Sequence, residues 1–367
     1  MTDGPGADTE HLLDAITALL PPILNGMEAL AHVSRHLHPP NLALLAAKVA
    51  GTDQPIRDAL PAFREADWPE HLKDFSKQVE KTAEHVCEAF EGIAEAARSP
   101  EGPMRAYRAM RGATRATESL YVIAGALPPV SRFFLEPGCR DDQALLEKLA
   151  KADARRDNVG VMHASNGRGE RGGFSMYVPE YYDGEEPWPL VMALHGGSGH
   201  GADFLWTWLR EARSRGVILV SPTARGRTWS LMGPDMDSGN LDTIVEQVCQ
   251  RWNVDRDRLL LTGMSDGGTF AYVSGLRGES PFTHLAPSSA SFHPMLLDGS
   301  SAERLKGLQV YLIHGVLDWM FPVEIARTAN AALTTAGAEV VYREIEDLSH
   351  TYPRDENPRI LDWLLRA

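Results

Sequence analysis

The spacing of apolar residues changes once along this chain, near residue 157, and that change limits the possible architecture more than any other feature. Before it, apolar residues recur every three or four positions, as one face of a helix requires. The clearest run covers residues 69–99. There Leu72, Phe75, Val79, Ala83, Val86, Phe90, Ile93 and Ala97 form a seam, with Lys73, Lys77, Glu80, Lys81, Glu84 and Glu88 mostly off it. Further helices are expected over residues 12–20, 22–38, 41–50, 53–65, 103–126 and 143–155. Pro21 and Pro22 suit a helix start, where a missing N–H is harmless, and Pro39-Pro40 and Gly51 punctuate the pieces that follow. Residues 128–138 fit no period and contain an apolar triplet, Phe133, Phe134 and Leu135.

After the change, short β-rich runs alternate with helical ones. Strands are expected at 159–163, 173–178, 189–195, 217–222, 258–263, 283–287, 309–315 and 339–346. Helices fit between them at 203–215, 240–252, 267–276, 323–336 and 358–366. Runs such as Leu259-Leu260-Leu261-Thr262 and Val310-Tyr311-Leu312-Ile313 are continuously apolar, as strands covered on both faces must be. Strand-helix alternation implies an α/β class with a mostly parallel sheet. Three segments follow: an all-helical domain over residues 1–140, a connecting helix within 141–157, and an α/β domain over 158–367.

Composition narrows the partners. The chain is 43% apolar and 23% charged, which supplies a sizeable core, and its net charge of −14 repels phosphate backbones and anionic lipid. Nucleic acid and membrane surfaces are therefore not expected. The three cysteines, Cys87, Cys139 and Cys249, are too few and too scattered for a disulfide framework or a zinc cage. His32, His36 and His38 share no carboxylate at their spacing, and no metal site is expected there. The first ten residues are acidic, without the basic and apolar regions of a leader, and no charge-free apolar stretch of about 18 residues occurs. These features predict a cytoplasmic address.

Gly263-Met264-Ser265-Asp266-Gly267-Gly268 follows an expected strand and opens an expected helix. In that setting G-x-S-x-G is a nucleophile elbow: the serine sits on a sharp, strained turn, and glycines flank it because a Cβ would crowd the neighbouring backbone. A Gly-rich turn with a capping serine carries the same letters. A serine hydroxyl needs a base to take its proton, and in this architecture an acid follows the serine and a histidine comes last. Asp318 lies just past the strand 309–315, where it is either a buried carboxylate or a residue of a solvated loop. His350 lies after the last strand, and it alone among 13 histidines has the required position. His314 lies within a strand and reads as a packed core histidine. Upstream, Leu194-His195-Gly196-Gly197-Ser198-Gly199 ends another strand. Its small residues let N–H groups face a developing oxyanion, and the expected donors are the amides of Gly197 and Asp266. It lacks the lysine and Ser/Thr of a phosphate-binding loop. His195 is expected to brace this loop. Trp229, Trp319 and Met320 are candidate pocket walls from their loop positions, with core packing as the alternative for each.

With these pieces in order, residues 158–366 resemble the α/β-hydrolase superfamily, and most of all its phospholipase/carboxylesterase and polyhydroxybutyrate-depolymerase-like esterases. The matching residues are Leu194-His195-Gly196-Gly197, Ser221-Pro222 with Trp229, Asn253-Val254-Asp255-Arg256-Asp257-Arg258, the elbow, His314-Gly315 with Asp318 and Pro322-Val323, and Ser349-His350-Thr351-Tyr352-Pro353. The resemblance implies an eight-stranded sheet and hydrolysis of carboxylic esters through an acyl-enzyme, with neither metal nor organic cofactor. Two departures stand out. Ser349 occupies the position before the histidine where relatives often have glycine, and the extra helices all precede the sheet instead of interrupting it. The same fold and residue order serve serine peptidases of the prolyl-oligopeptidase type and hydrolase folds used only for binding. For the helical domain two roles are expected in the alternative: a lid, with Phe133 to Leu135 over the mouth of the site, or a homodimer through the Leu72 to Ala97 seam.

Overall fold

The structure, a computed structural model, describes residues 5–366; Met1 to Gly4, part of the acidic stretch read above for a leader, lie outside the described residues. The chain divides into two compact units, Met1–Phe134 and Leu135–Ala367. The division falls earlier than residue 140, and Glu136 gives the reason. Its N–H donates to Ser214 Oγ at 2.8 Å, and its carboxylate takes Arg215 Nε and Nη2 at 2.8 and 2.9 Å, which fixes this residue to the second unit.

The first unit contains α1 (Pro5–His36), α2 (Leu42–Val49), α3 (Gln54–Glu65), α4 (Lys73–Ala96), α5 (Gly102–Tyr121) and α6 (Pro128–Phe133). Helix α1 is continuous, so Pro21 and Pro22 lie inside it and do not start a new helix. An interior proline costs about 3 kcal/mol. The helix persists because Leu19, Leu20, Ile23, Met27, Leu30 and Val33 are all buried along one side, on both sides of the pair. In α4 the seam residues Val79, Ala83, Val86, Phe90 and Ile93 are buried within this same unit, where α4 packs along α5 and against α1. The approach is close: a Cβ on Gly92 would lie 2.6 Å from Ala109 Cβ, and one on Gly26 would lie 2.9 Å from Val86 Cγ1. The seam expected to form a dimer face is thus consumed inside one chain. Phe133 and Phe134 are buried as well, with the Phe134 ring edge-on to Tyr121 of the same unit at 5.2 Å.

The second unit begins with α7 (Gln143–Lys151), which Asp142 caps by accepting from the N–H groups of Ala144 and Leu145. Eight strands follow: β1 (Gly160–Ala164), β2 (Phe174–Val178), β3 (Trp188–Leu194), β4 (Ile218–Pro222), β5 (Val254–Met264), β6 (His284–Ser288), β7 (Gln309–Gly315) and β8 (Glu339–Ile345). They form one sheet in the order β1-β2-β4-β3-β5-β6-β7-β8. Strand β2 pairs antiparallel with β1 and β4, and the remaining pairs are parallel. The helices between them are α8 (Gly201–Phe204), α9 (Leu209–Arg215), α10 (Ser238–Arg251), α11 (Asp266–Gly275), α12 (Ala302–Leu305), α13 (Val323–Thr335) and α14 (Asn357–Leu365). The sheet matches the expected eight strands. Three elements differ from expectation, one of them the short helix α12, which had no expected counterpart. The helix foreseen over 203–215 is split into α8, a 3-10 turn at Leu205–Thr207 and α9. Strand β5 starts four residues early at Val254, which pairs with Trp188 across an irregularity before Leu190 meets Leu259. The central strands β3 to β7 end at one edge of the sheet, and the loops that follow β3, β5 and β7 all leave from it.

Candidate active site

At the end of β5 the chain turns from strand to helix at Ser265, whose φ is 55° and ψ −120°. A side chain at positive φ is strained by about 1–3 kcal/mol and persists only where its surroundings over-determine it. They do so here. Ser265 N–H donates to Ser288 O at 3.0 Å on β6, and Thr269 N–H donates back to Ser265 O at 2.8 Å. The glycines of the elbow are required by contact: a Cβ on Gly263 would lie 2.5 Å from Gly267 C, and one on Gly267 would lie 2.5 Å from the carbonyl oxygens of both Leu194 and His195. Strand β3, strand β5 and helix α11 therefore meet backbone to backbone.

The loop after β7 carries Asp318 and the loop after β8 carries His350. Ser265 Oγ lies 3.0 Å from His350 Nε2, and His350 Nδ1 lies 3.0 and 2.9 Å from the two carboxylate oxygens of Asp318. All three residues are buried. A carboxylate only accepts, so Nδ1 bears the proton and Nε2 presents a lone pair to the serine hydroxyl. Asp318 Oδ1 also accepts from the N–H groups of Met320 at 2.9 Å and Phe321 at 2.8 Å. Burial pushes the Asp318 carboxyl up, but the hydrogen bond and electrostatic attraction of His350 and these two amides outweigh it, and the group is held below its ordinary value. The Phe321 ring stands edge-on to the imidazole at 5.4 Å. His314, expected as a core histidine, is fully buried at the end of β7 and also serves this loop: Nε2–H donates to Phe321 O at 2.8 Å and lies 3.5 Å from Asp318 Oδ2.

Gly196 and Gly197 lie against the elbow. A Cβ on Gly196 would be 3.7 Å from Ser265 Cβ, and one on Gly197 would be 2.7 Å from Asp266 Oδ2. The two residues named as oxyanion donors, Gly197 and Asp266, are thus neighbours, and Asp266 is the first residue of α11, where amides have no partner within the helix. His195 braces this loop: Nδ1–H donates to Gly196 O at 2.7 Å and Nε2 accepts from Ala224 N–H at 3.2 Å. Burial pushes its pKa down to about 3, so the ring stays neutral. Trp229 is placed otherwise than expected. It is buried behind the loop, stacks on Phe270 and donates Nε1–H to His195 O at 2.7 Å; it is a support and not a pocket wall. Trp319 and Met320 are 45% and 49% exposed at the rim, directly after Asp318.

Two contributors had no signature in the sequence. Thr228 Oγ1–H donates to Asp266 Oδ2 at 2.5 Å, and the Arg171 guanidinium donates to the carbonyls of Gly199, Ala224, Gly226 and Arg227. These contacts join residues 28 to 56 positions apart, which local patterning does not reveal. Among the described residues no group of three or more His, Cys, Asp or Glu could hold a metal ion, and no helix is long and apolar enough to cross a membrane. The three cysteines are free thiols.

No family model matches the chain. It is 29% identical over 137 residues to a bifunctional acetylxylan esterase/xylanase of Neocallimastix patriciarum, a stretch that makes up 35% of this chain and 19% of that protein. Among solved structures, it is similar to a thermostable esterase (20% identity, TM-score 0.47, covering 57% of this chain and 63% of that one). A fluorophosphonate-binding serine hydrolase of Staphylococcus aureus is similar at 15% identity and a TM-score of 0.46, covering 56% of this chain and 97% of that one. Independently of these likenesses, the strand order, with its antiparallel β2 and the elbow at the end of β5, is that of the α/β-hydrolase fold.

Proposed function

We propose that this chain is a serine hydrolase of carboxylic esters, working on small to medium esters through an acyl-enzyme. The observation that carries the proposal is the unbroken hydrogen-bonded series from Ser265 Oγ through His350 to Asp318, built from three different loops. In the first step His350 Nε2 takes the hydroxyl proton as Ser265 Oγ attacks the ester carbonyl, and Asp318 holds the imidazole in the required tautomer. Charge developing on the carbonyl oxygen is met by the N–H groups of Gly197 and Asp266; one such donor is typically worth about 10²–10³ in kcat. His350 then protonates the leaving alcohol. In the second step it takes a proton from water, which attacks the acyl-enzyme carbonyl, and returns a proton to Ser265 as the acid is released.

The partial likeness to an acetylxylan esterase supports an ester over a peptide bond as the target. Trp319 and Met320 at the rim would contact the part of the ester that leaves the cleft. The test is turnover of 4-nitrophenyl acetate beside a 4-nitroanilide peptide. Ester turnover well above amide turnover is expected, with Ser265→Ala lowering kcat by about 10⁴-fold or more while the far-ultraviolet circular dichroism stays the same. Undiminished turnover in that variant removes Ser265 from the mechanism. A fluorophosphonate that leaves Ser265 unlabelled in the wild type would return the chain to a binding role.

A further inference from the structure

The surface near the oxyanion loop carries two exposed cations, Arg225 and Arg227, whose side chains bind no carboxylate. Elsewhere in this unit several arginines are set against carboxylates, such as Arg213 against Glu180, Arg215 against Glu136, Arg256 against Glu246 and Arg277 against Asp242, while the part-buried Arg171 and Arg304 are spent on backbone carbonyls. On the loop after β4, Arg225 and Arg227 are exposed and bind neutral groups instead. Arg225 Nη2 donates to Asn240 Oδ1 at 3.2 Å, and Arg227 Nε donates to Ser198 Oγ at 3.3 Å. The two carboxylates that touch this loop are turned to other donors. Asp237 accepts from the N–H groups of Arg225 and Ser230 and from Ser230 Oγ, and Asp266 accepts from Thr228 Oγ1.

The mount is rigid and close to the reacting hydroxyl. Arg171 ties the carbonyls of Ala224, Gly226 and Arg227 to that of Gly199, so the arginine loop and the oxyanion loop are held as one piece. Ser198, which Arg227 touches, is two residues beyond Gly196 and its neighbour Ser265. Thr228, the next residue after Arg227, holds the side chain of Asp266 beside the nucleophile. With Nε engaged on Ser198, the two Nη groups of Arg227 are presented as an edge, and a guanidinium edge matches the two oxygens of a carboxylate.

We propose that Arg227, seconded by Arg225, recognises an anionic group on the ester, so that the preferred substrates of this site are esters bearing a carboxylate. This rests on the hydrolase assignment above and gives it a substrate class, one that the net charge of the whole chain, −14, would disfavour at long range. The local cations oppose that field where the ester binds.

Two matched pairs test it: 4-nitrophenyl monoadipate against 4-nitrophenyl hexanoate, with the charge on the acyl chain, and 4-acetoxybenzoate against its methyl ester, with the charge on the leaving group. In the wild type at low salt, the charged member of one pair is expected to have a kcat/KM about five- to tenfold above the neutral one, carried by KM. Arg227→Gln should abolish that ratio, Arg227→Lys should keep part of it, and about 0.5 M salt should erode it in the wild type alone. Using the ratio removes any general effect of losing the bond to Ser198. A ratio that is the same in wild type and Arg227→Gln for both pairs, with the neutral esters still turned over, overturns the recognition role and leaves the hydrolase assignment standing. Failure to turn over any of the four esters overturns both.

Discussion

In the helical unit, the buried hydroxyls of Ser76 and Thr82 are satisfied by their own helix: Ser76 Oγ donates to Lys73 O and Thr82 Oγ1 to Gln78 O. In the sheet unit several buried side chains reach across the chain instead. Thr262 Oγ1 donates to Ala286 O on the next strand, Asn357 Nδ2 to Thr207 O, and Thr228 to Asp266. Backbone strain divides the same way. The four non-glycine residues at positive φ among the described residues, Ser165, Ser198, Ser265 and Ser289, all belong to the sheet unit. A bundle whose polar groups answer locally can be altered one residue at a time. A sheet whose polar groups are shared between distant loops can hold a strained hydroxyl and a buried carboxylate, and it pays for this with sensitivity at each shared point.

That contrast can be broken by experiment. The largest effect is expected at Asp318. Asp318→Asn should lower ester kcat by about 10³–10⁴-fold through loss of the imidazole's orientation. Its stability effect has a defined sign with pH. The carboxyl is held below its ordinary value of 3.8, so its contribution is fully present above that value and is lost as pH falls through the lower folded value. Urea midpoints of wild type and Asp318→Asn should differ at about pH 7 and converge as pH drops below about 4; a constant gap would mean the carboxylate is not preferentially stabilised. Next is Gly267→Ala, whose Cβ meets two carbonyl oxygens. It should cost about 3 kcal/mol or more and lower activity together with stability, since no flexible side chain is there to yield.

In the helical unit, Phe90→Ala should cost about 3 kcal/mol by cavity formation, with the rate of fluorophosphonate labelling at Ser265 unchanged. A parallel fall in labelling would show that the two units do not divide their tasks in this way. The smallest effect is expected at Arg64, which faces Glu80 and Glu84 with all three side chains substantially exposed. Arg64→Ala should change stability by about 1 kcal/mol or less in a denaturant melt, whereas Glu180→Gln, at the buried pair with Arg213, should cost several times more.

What could be read from the letters follows the same division. Strand β7 has the expected bounds, and Ser265, Asp318 and His350 converge as their order along the chain predicted, because each lies at a strand end where period and turn residues locate it. The α4 seam was legible as apolar, but not the surface that covers it, since periodicity does not say which helices dock on it: the next one, α5, and the distant α1. Local propensity misled at Pro21-Pro22, where burial of α1 on both sides of the pair overrides two missing N–H groups. Trp229 was ambiguous because an aromatic in a loop can line a pocket or support one, and only its hydrogen bond to His195 O decides. The charged run Val254 to Asp257 hid the start of β5 for a similar reason: its pairing with Trp188 is a distant contact.

The main chain at Ser265 has no slack, being held by Ser288 through its amide and by Thr269 through its carbonyl. A peptide rotation that relieved the unusual dihedral would have to part a strand from its neighbour and a helix from its first turn. Heating this protein should therefore end fluorophosphonate labelling at Ser265 and melt the sheet as a single event, with no warm, folded, unlabelled form in between.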